Sequence, residues 1–126
     1  MLPAQARLRR RPEFTTVVRS GRRAGRQTMV LHYLPERPGH PGGGVTPPPG
    51  ALAGFVVGKA VGNSVVRHRV TRRLRAVVAT ELSRLPSSAD LVVRARPEAA
   101  DAASDVLRRD LVAGLDRLLG DRVARR

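Results

Sequence analysis

The sequence feature that most constrains this chain is a stretch of arginines set into a helical pattern. Residues 62–75 read GNSVVRHRVTRRLR, and Asn63 or Ser64 is placed to cap a helix that runs to about Leu85, before Pro86. The apolar residues of this segment share one arc of a helical wheel, which predicts the buried face. They are Val66, Val70, Leu74, Val77 and Val78, extended by Leu82 and Leu85.

The positions of the basic residues are expected to destabilise this helix. The wheel places most of them opposite the apolar arc: His68, Arg69, Arg72, Arg73 and Arg75. Arg67 lies beside the arc in the first turn, where its long side chain can reach past the helix end. Positive charge at a helix N-terminus opposes the macrodipole, and like charges three or four residues apart cost about 0.2–0.5 kcal/mol per pair. No carboxylate occurs between Glu36 and Glu81 to offset them.

Two interpretations of this basic face are open from the sequence alone. Charged helix faces are often simply solvated. Phosphates docking on this face would instead turn both penalties into attraction, aided by the free N–H groups at the helix start. The second interpretation is favoured, because the whole chain is basic as well.

The charge of the whole chain points to a polyanionic partner. Its 126 residues carry 24 basic and 10 acidic side chains, a net charge of +14, and every basic residue except Lys59 is arginine. Such an excess favours nucleic acid or an anionic membrane surface. The membrane is the weaker choice, because the apolar arc is needed for the core and the polar face carries no Trp or Phe. No secretory signal or membrane span is visible, so we expect a cytoplasmic protein.

The remaining segments predict an α+β fold. A short helix is expected over 12–21, with Phe14, Val17 and Val18 on one face, and a basic turn with Arg22, Arg23 and Arg26 follows it. Strands are expected over 28–34, 51–58 and 90–95. A last helix runs from near Ala99 to near Leu119, with a stripe of spaced leucines. The order α-β-β-α-β-α, with room for another short strand, predicts a two-layer α/β sandwich in which helices pack on a small, mostly antiparallel sheet.

Side-chain alternation and composition divide the chain further. In the strand 28–34, Val30, His32 and Leu34 point one way, and Met29, Leu31 and Tyr33 point the other.

Residues 1–126 are expected to form a single domain of ordinary size. Three parts of it are expected to be less regular: a basic arm at 1–11, a flexible Pro- and Gly-rich loop at 35–50 and a basic tail at 120–126.

The sequence contains no recognisable set of residues that could catalyse hydrolysis on this chain. There is no cysteine, and the three histidines, His32, His40 and His68, are scattered along the chain. The few carboxylates lie mostly near the C-terminal helix, so neither a paired-carboxylate metal site nor a nucleophile–base pair can be argued. We therefore expect this chain to act through its positive charge, and we expect the catalytic groups to lie on another molecule.

The segment GKAVGNSVVRHRVTRRLR resembles the signature of the bacterial ribonuclease P protein family, in which a lysine-containing turn leads through Gly-Asn to a basic helix. The matching residues are Lys59, Gly62, Asn63, Arg67, Arg69, Arg72 or Arg73, and Arg75. The similarity covers about residues 7–119, from the opening RRRPEFTTVVRSGRR to LVVRARPEA and the last helix. Three positions depart from the family: His68 replaces an asparagine, Ala60 replaces a second lysine, and His32 stands where an aromatic residue is common. The 35–50 loop is also longer than is usual in the family.

The resemblance implies a fold detail and a function. The fold detail is a left-handed βαβ crossover around the arginine helix, which is a rare connection. The function is that of the protein subunit of ribonuclease P, which binds the catalytic RNA and the 5′ leader of precursor tRNA. The holoenzyme is an endoribonuclease that removes this leader. Its catalytic centre, with Mg²⁺, is then on the RNA subunit, and no obligate protein partner is inferred.

The same resemblance implies two groups of site residues. The catalytic RNA would be bound by Lys59, Asn63, Arg67, His68, Arg69, Arg72, Arg73 and Arg75. The leader would lie in a cleft with Arg11, Phe14 and His32, where the two rings offer stacking surfaces. For Phe14, core filling is an equally good interpretation. The alternative function is a general basic RNA- or DNA-binding module, ribosome- or nucleoid-associated, because a basic helix can lie on any phosphate backbone.

Overall fold

The computed structural model describes residues 16–19, 21–35, 51–86 and 89–124. Residues 16–19 form a helical turn, α1. The strands are β1 Arg22–Gly25, β2 Met29–Leu34, β3 Leu52–Val56 and β4 Asp90–Ala95. The long helices are α2 Ser64–Glu81 and α3 Ser104–Ala124, and the 3-10 turns Leu82–Arg84 and Pro97–Asp101 follow α2 and β4.

The four strands of the described chain form one mixed sheet in the order β1-β2-β4-β3. β2 pairs antiparallel with β1 and with β4, whereas β3 and β4 are parallel. Two of the three pairings are antiparallel, so the predicted α+β fold with a mostly antiparallel sheet is confirmed. Parallel neighbours require a crossover connection, and α2 supplies it. The left-handed sense of this crossover stays a prediction.

The two faces of the sheet bury different neighbours. Met29, Leu31 and Tyr33 of β2 are fully buried in the main core under α2 and α3, as their alternation predicts. The leucines of α3 that join this core are Leu107, Leu111, Leu115 and Leu118. On the other face, Val17 of α1 packs with Leu52 and Val92. The sheet therefore separates α2 and α3 from α1.

Two predictions for the first part of the chain need correction. Residues 22–25 were predicted as a turn, but they form strand β1, since pairing with β2 buries Ala24. Val18 was predicted to share a face with Val17, yet Val17 is fully buried and 45% of the surface of Val18 is exposed. Consecutive helical residues point about 100° apart, so only one of the two valines can face the sheet.

The helix ends also differ from the sequence prediction. α2 ends at Glu81, and a 3-10 turn leads to Pro86, because a proline disfavours the helical conformation in the residue before it. α3 begins at Ser104, not near Ala99, and continues to Ala124 instead of ending near Leu119. Part of the predicted tail is thus helical, since Gly120 costs a helix only about 1 kcal/mol.

A buried aspartate fixes α3 to the turn between β1 and β2. Asp110 is 2% exposed, and its Oδ2 accepts hydrogen bonds from the N–H of Thr28 at 3.0 Å and from the Thr28 hydroxyl at 2.6 Å. Burial raises the pKa of Asp110, but the Thr28 hydrogen bonds and the charges of Arg109 and Arg26 outweigh it, so the net pKa is lowered. The carboxylate is therefore held in its charged form.

Several predicted features lie outside the described residues. They are the arm 1–11, including Arg11, the residue Phe14, and residues 36–50 of the loop. Within the part of the chain that the structure describes, no helix combines the length and apolar character that crossing a bilayer requires.

Candidate nucleic-acid interface

Helix α2 begins with a side-chain cap. Asn63 has an extended backbone, and its Oδ1 accepts a hydrogen bond from the N–H of Val66 at 3.0 Å, so Asn63 is the capping residue of the two predicted candidates. Gly62 has a φ of +158°, and a Cβ at this position would lie 2.8 Å from Cγ1 of Val66. Glycine alone suits this backbone angle and this space. The Gly-Asn pair therefore sets how α2 leaves the preceding turn.

The apolar arc of α2 anchors the helix as predicted. The buried residues are Val70, Leu74, Val77 and Val78, and they join the main core. Val66 is half-buried against the same core. With this arc facing the sheet and α3, the polar residues of the first three turns are left to the flanks and the outer surface.

The basic residues of α2 do not form one uniformly exposed face. His68 and Arg72 are exposed, whereas Arg67, Arg69, Arg73 and Arg75 are half-buried. Nη2 of Arg69 donates to the carbonyl of Ala100 at 3.2 Å, and Nη1 of Arg73 donates to the carbonyl of Ala102 at 2.9 Å. The predicted placement is thus correct for His68 and Arg72. It is wrong for Arg69 and Arg73, which lie on the flank of α2 that faces the Pro97–Asp101 turn. Seven residues at about 100° each bring Arg73 back to within about 20° of Val66, so it lies beside the apolar arc.

An open depression marks the outer surface of the first turns of α2. Its volume is about 370 Å³, and it is lined by Ser64, Val65, His68, Arg69 and Arg72. Val65 is 71% exposed, and Lys59 and Asn63 are exposed in the turn that leads into the helix. The structure therefore places Lys59, Asn63, His68 and Arg72 on accessible surface around the helix start.

The charge at the start of α2 is not balanced within the helix. Its first turn contains no acidic residue. Glu81 lies at the opposite end, where its carboxylate is 3.5 Å from Arg84 and 3.7 Å from Arg108. The N-terminal half of the helix is consequently a region of positive potential, strengthened by the helix dipole.

The opposite face of the sheet carries a second basic group around His32. The strand register places Arg23 directly beside His32 and places Arg94 two residues beyond its partner Val92, so all three point to the face opposite α2. His32 is 4% exposed, whereas Arg23 and Arg94 are exposed. Burial, followed by the charges of Arg94 and Arg23, lowers the pKa of His32. The imidazole is therefore neutral at neutral pH.

The sequence reasoning missed Arg23 and Arg94 as neighbours of His32. A signal existed for Arg94, because it interrupts the apolar run of DLVVRA at a position that shares a face with Val92. For Arg23 no signal existed, since its stretch was interpreted as a turn. Of the predicted leader-cleft residues, the structure describes only His32.

Metal-ligating side chains are not grouped together in the described residues. Across residues 16–19, 21–35, 51–86 and 89–124, no three His, Asp or Glu side chains lie close enough to hold a metal ion. The conspicuous chemical feature of this part of the chain is its arginine-rich surface. A basic surface of this kind on an α+β fold is typical of proteins that bind nucleic acid.

Comparison with known proteins shows the family. The family model "Ribonuclease P" matches residues 2–119. The ribonuclease P protein component of Streptomyces griseus is 53% identical over 121 residues, which cover 95% of this chain and 97% of that protein. The ribonuclease P protein component of Corynebacterium diphtheriae is 47% identical over 118 residues, which cover 94% and 97%.

Solved structures agree on the fold. The ribonuclease P protein of Staphylococcus aureus aligns with a TM-score of 0.69 at 20% identity, covering 88% of this chain and 93% of that chain. The protein of Thermotoga maritima aligns with a TM-score of 0.69 at 21% identity, covering 88% and 96%.

This chain belongs to the ribonuclease P protein family. It is accordingly the protein component of an endoribonuclease holoenzyme that acts in tRNA processing, and it associates with the RNA of ribonuclease P. The resemblance drawn from the arginine segment is confirmed. Nothing in the comparisons supports the alternative of a general RNA- or DNA-binding module.

Proposed function

We propose that the N-terminal half of α2 is the surface that binds the ribonuclease P RNA, and that the opposite sheet face approaches the 5′ leader of precursor tRNA. The observation that carries the first part is the uncompensated positive charge at the start of α2. Exposed His68 and Arg72 project there beside exposed Lys59, with no carboxylate in the first helical turn. RNA phosphates would stabilise an arrangement that otherwise opposes the helix dipole.

The proposed leader surface rests on Arg23 and Arg94. Both are exposed, and both flank His32 on the sheet face that α1 also covers. Two guanidinium groups on this strand surface suit a single-stranded backbone, which needs positive charge and flat contact surfaces. Because His32 is buried, its ring supports this surface from beneath and is reached by a base only if the covering groups move.

The chemistry is proposed to reside on the RNA. The described residues contain no metal-holding group, and Mg²⁺ would be held mainly by RNA phosphates, which suit hard, hydrated cations. The protein would then act by lowering electrostatic repulsion between two RNAs and by positioning them. A cytoplasmic location is part of the proposal, because bacterial tRNA precursors are made there.

The RNA surface can be tested by the salt dependence of binding. Each lost phosphate contact lowers the slope of log Kd against log salt by about 0.7–0.9. We expect Arg72→Gln to show this loss with the ribonuclease P RNA. Arg117→Gln is the matched control, since Arg117 is an exposed arginine of α3 whose neighbour Asp116 contacts Arg84, beyond the C-terminal end of α2. Equal slopes for the two variants would refute the assignment of the RNA surface to α2.

The leader surface can be tested by comparing two substrates. Arg94→Gln is expected to weaken binding of leader-bearing precursor tRNA to the holoenzyme and to leave binding of mature tRNA unchanged. Phe14→Ala, in the part of the chain outside the described residues, is expected to behave in the same way. Equal losses on both substrates would contradict the leader assignment while leaving the α2 assignment intact.

A further inference from the structure

The two arginines on the flank of α2 are bonded to backbone, unlike the exposed Arg72. Arg69 and Arg73 lie one helical turn apart, and each donates one N–H to a carbonyl of the segment that connects β4 to α3. The acceptors, Ala100 and Ala102, are two residues apart, so the two contacts form a ladder between the helix and this segment. A guanidinium group has five N–H donors, so each of these arginines uses only part of its capacity.

The segment that supplies the carbonyls is itself firmly placed. Pro97–Asp101 is a 3-10 turn, and Ala99 at its centre is fully buried in the main core. The backbone N–H of Arg96 donates to the carbonyl of Thr28 at 2.9 Å, which ties the start of the turn to the β1–β2 hairpin. The carbonyls at the end of a short helix carry partial negative charge, which favours a guanidinium partner. Arg69 and Arg73 are therefore held by a rigid element.

Arg72 provides an internal comparison. It is exposed on the same helix, and the described residues offer its side chain no hydrogen bond or ion pair. Its guanidinium group must lose rotamer freedom when it meets a phosphate, whereas those of Arg69 and Arg73 are already ordered. Arg69 also lines the depression on the outer surface together with Arg72, so both side chains border the same space.

We infer that the Pro97–Asp101 turn and Ala102, the residue that follows it, form a positioning element for RNA recognition, in which the carbonyls of Ala100 and Ala102 orient the guanidinium groups of Arg69 and Arg73 toward RNA phosphates. This inference rests on the proposed RNA surface and adds a part of the chain that does not itself belong to the arginine helix. The competing explanation is that the two arginines only fasten the turn to α2 and never meet RNA.

Glutamine and lysine substitutions separate these explanations. Glutamine removes the charge, so Arg69→Gln lowers the salt slope of binding to the ribonuclease P RNA by about 0.7–0.9 if the side chain meets a phosphate. Lysine keeps the charge but lacks the planar fork that bonds a carbonyl and a phosphate together. Arg69→Lys is therefore expected to keep the slope and to weaken binding about tenfold, whereas Arg72→Lys weakens it less than about threefold.

The measurement is a set of binding titrations of the full-length protein with its cognate RNA at several salt concentrations, with thermal melts to confirm folding. Arg73→Gln and Arg73→Lys repeat the test at the second contact, so one unfolded variant does not decide the outcome. An unchanged slope for Arg69→Gln and Arg73→Gln would overturn the inference and leave the arginines as structural links. Equal losses for the lysine variants at 69 and 72 would overturn the orienting role of the carbonyls.

Failure of the underlying proposal has a different signature. If the unsubstituted protein binds its cognate RNA no more tightly than an unrelated RNA of equal length, the proposed RNA surface is refuted. The positioning role, which depends on it, is then refuted as well. If the unsubstituted protein binds selectively and only the Arg69 and Arg73 variants behave unlike the expectation, the positioning role alone is refuted.

Discussion

The contact between Asp110 and Thr28 makes the sharpest stability prediction. Asp110→Ala removes the acceptor of two hydrogen bonds and leaves the N–H and hydroxyl of Thr28 buried at 3% exposure. A buried donor without a partner costs about 1–3 kcal/mol, so the two together are expected to lower the free energy of unfolding by about 3–5 kcal/mol. For a domain of this size each kcal/mol lowers Tm by about 3–6 °C. The expected decrease in Tm is therefore about 10–30 °C.

More conservative substitutions separate the contributions of the charge and of the hydroxyl to this loss of stability. Asp110→Asn keeps an oxygen that can accept from Thr28 but removes the charge, and we expect it to cost about 1–2 kcal/mol. Thr28→Val removes the hydroxyl alone and is expected to cost a similar amount. In the double variant the two losses should not add, because both substitutions act on the hydroxyl–carboxylate bond of 2.6 Å.

The pH dependence of stability gives a second readout of the same contact. The pKa of Asp110 is lowered from its ordinary value of 3.8 on folding. Its contribution is thus fully present above the pKa of the unfolded chain and is lost as pH falls through the lower folded value. Urea denaturation from about pH 6 to pH 2 should show a steeper acid loss for the unsubstituted protein than for Asp110→Asn. Parallel profiles, or a loss under about 1 kcal/mol for Asp110→Ala, would refute this reasoning.

Three further outcomes follow from particular contacts. Gly62→Ala should lower the free energy of unfolding, measured by urea denaturation, by about 1–3 kcal/mol through backbone strain, and a clash with Val66 of α2 should add to this loss. Gly58→Ala is the control and should lower it far less, because the space around a Cβ at this position is open. Since burial lowers the pKa of His32 from 6.5, acid should destabilise the native protein as pH falls through and below 6.5. His32→Asn should reduce that loss between about pH 7 and pH 5, and identical pH profiles would contradict it. Arg84→Ala, which removes contacts of 3.5 and 2.7 Å to two acidic residues, should cost less than about 1 kcal/mol and less still in high salt.

The sequence predicted the elements whose hydrophobic period is regular. The alternation in β2 correctly predicts that Met29, Leu31 and Tyr33 share one face, which enters the main core. The spaced leucines of α3 likewise share one buried face, although both ends of this helix were predicted wrongly. The cap at Asn63 was also predictable, because a glycine followed by a capping residue ahead of an apolar period is a local signal. β1 was missed because RRAG has one buried side chain, and its strand conformation depends on pairing with β2.

The sequence identified residues of the candidate site but not how their side chains are arranged in space. A helical wheel reports direction around one helix, and it does not report which neighbours lie against each flank. The carbonyl partners of Arg69 and Arg73 come from a segment about 30 residues later, so the division between free and backbone-bound arginines required the tertiary structure. Asp110 escaped prediction for the same reason, since its partner Thr28 lies in a distant hairpin.

The central claim is that this chain acts with RNA to remove the leader of precursor tRNA. Its most direct test is cleavage of a leader-bearing precursor tRNA by the cognate ribonuclease P RNA at low Mg²⁺, with and without the protein. We expect a large increase in kcat/KM when the protein is added, and a smaller increase with the Arg72→Gln variant. Tight binding to the RNA without any increase in cleavage would contradict the account.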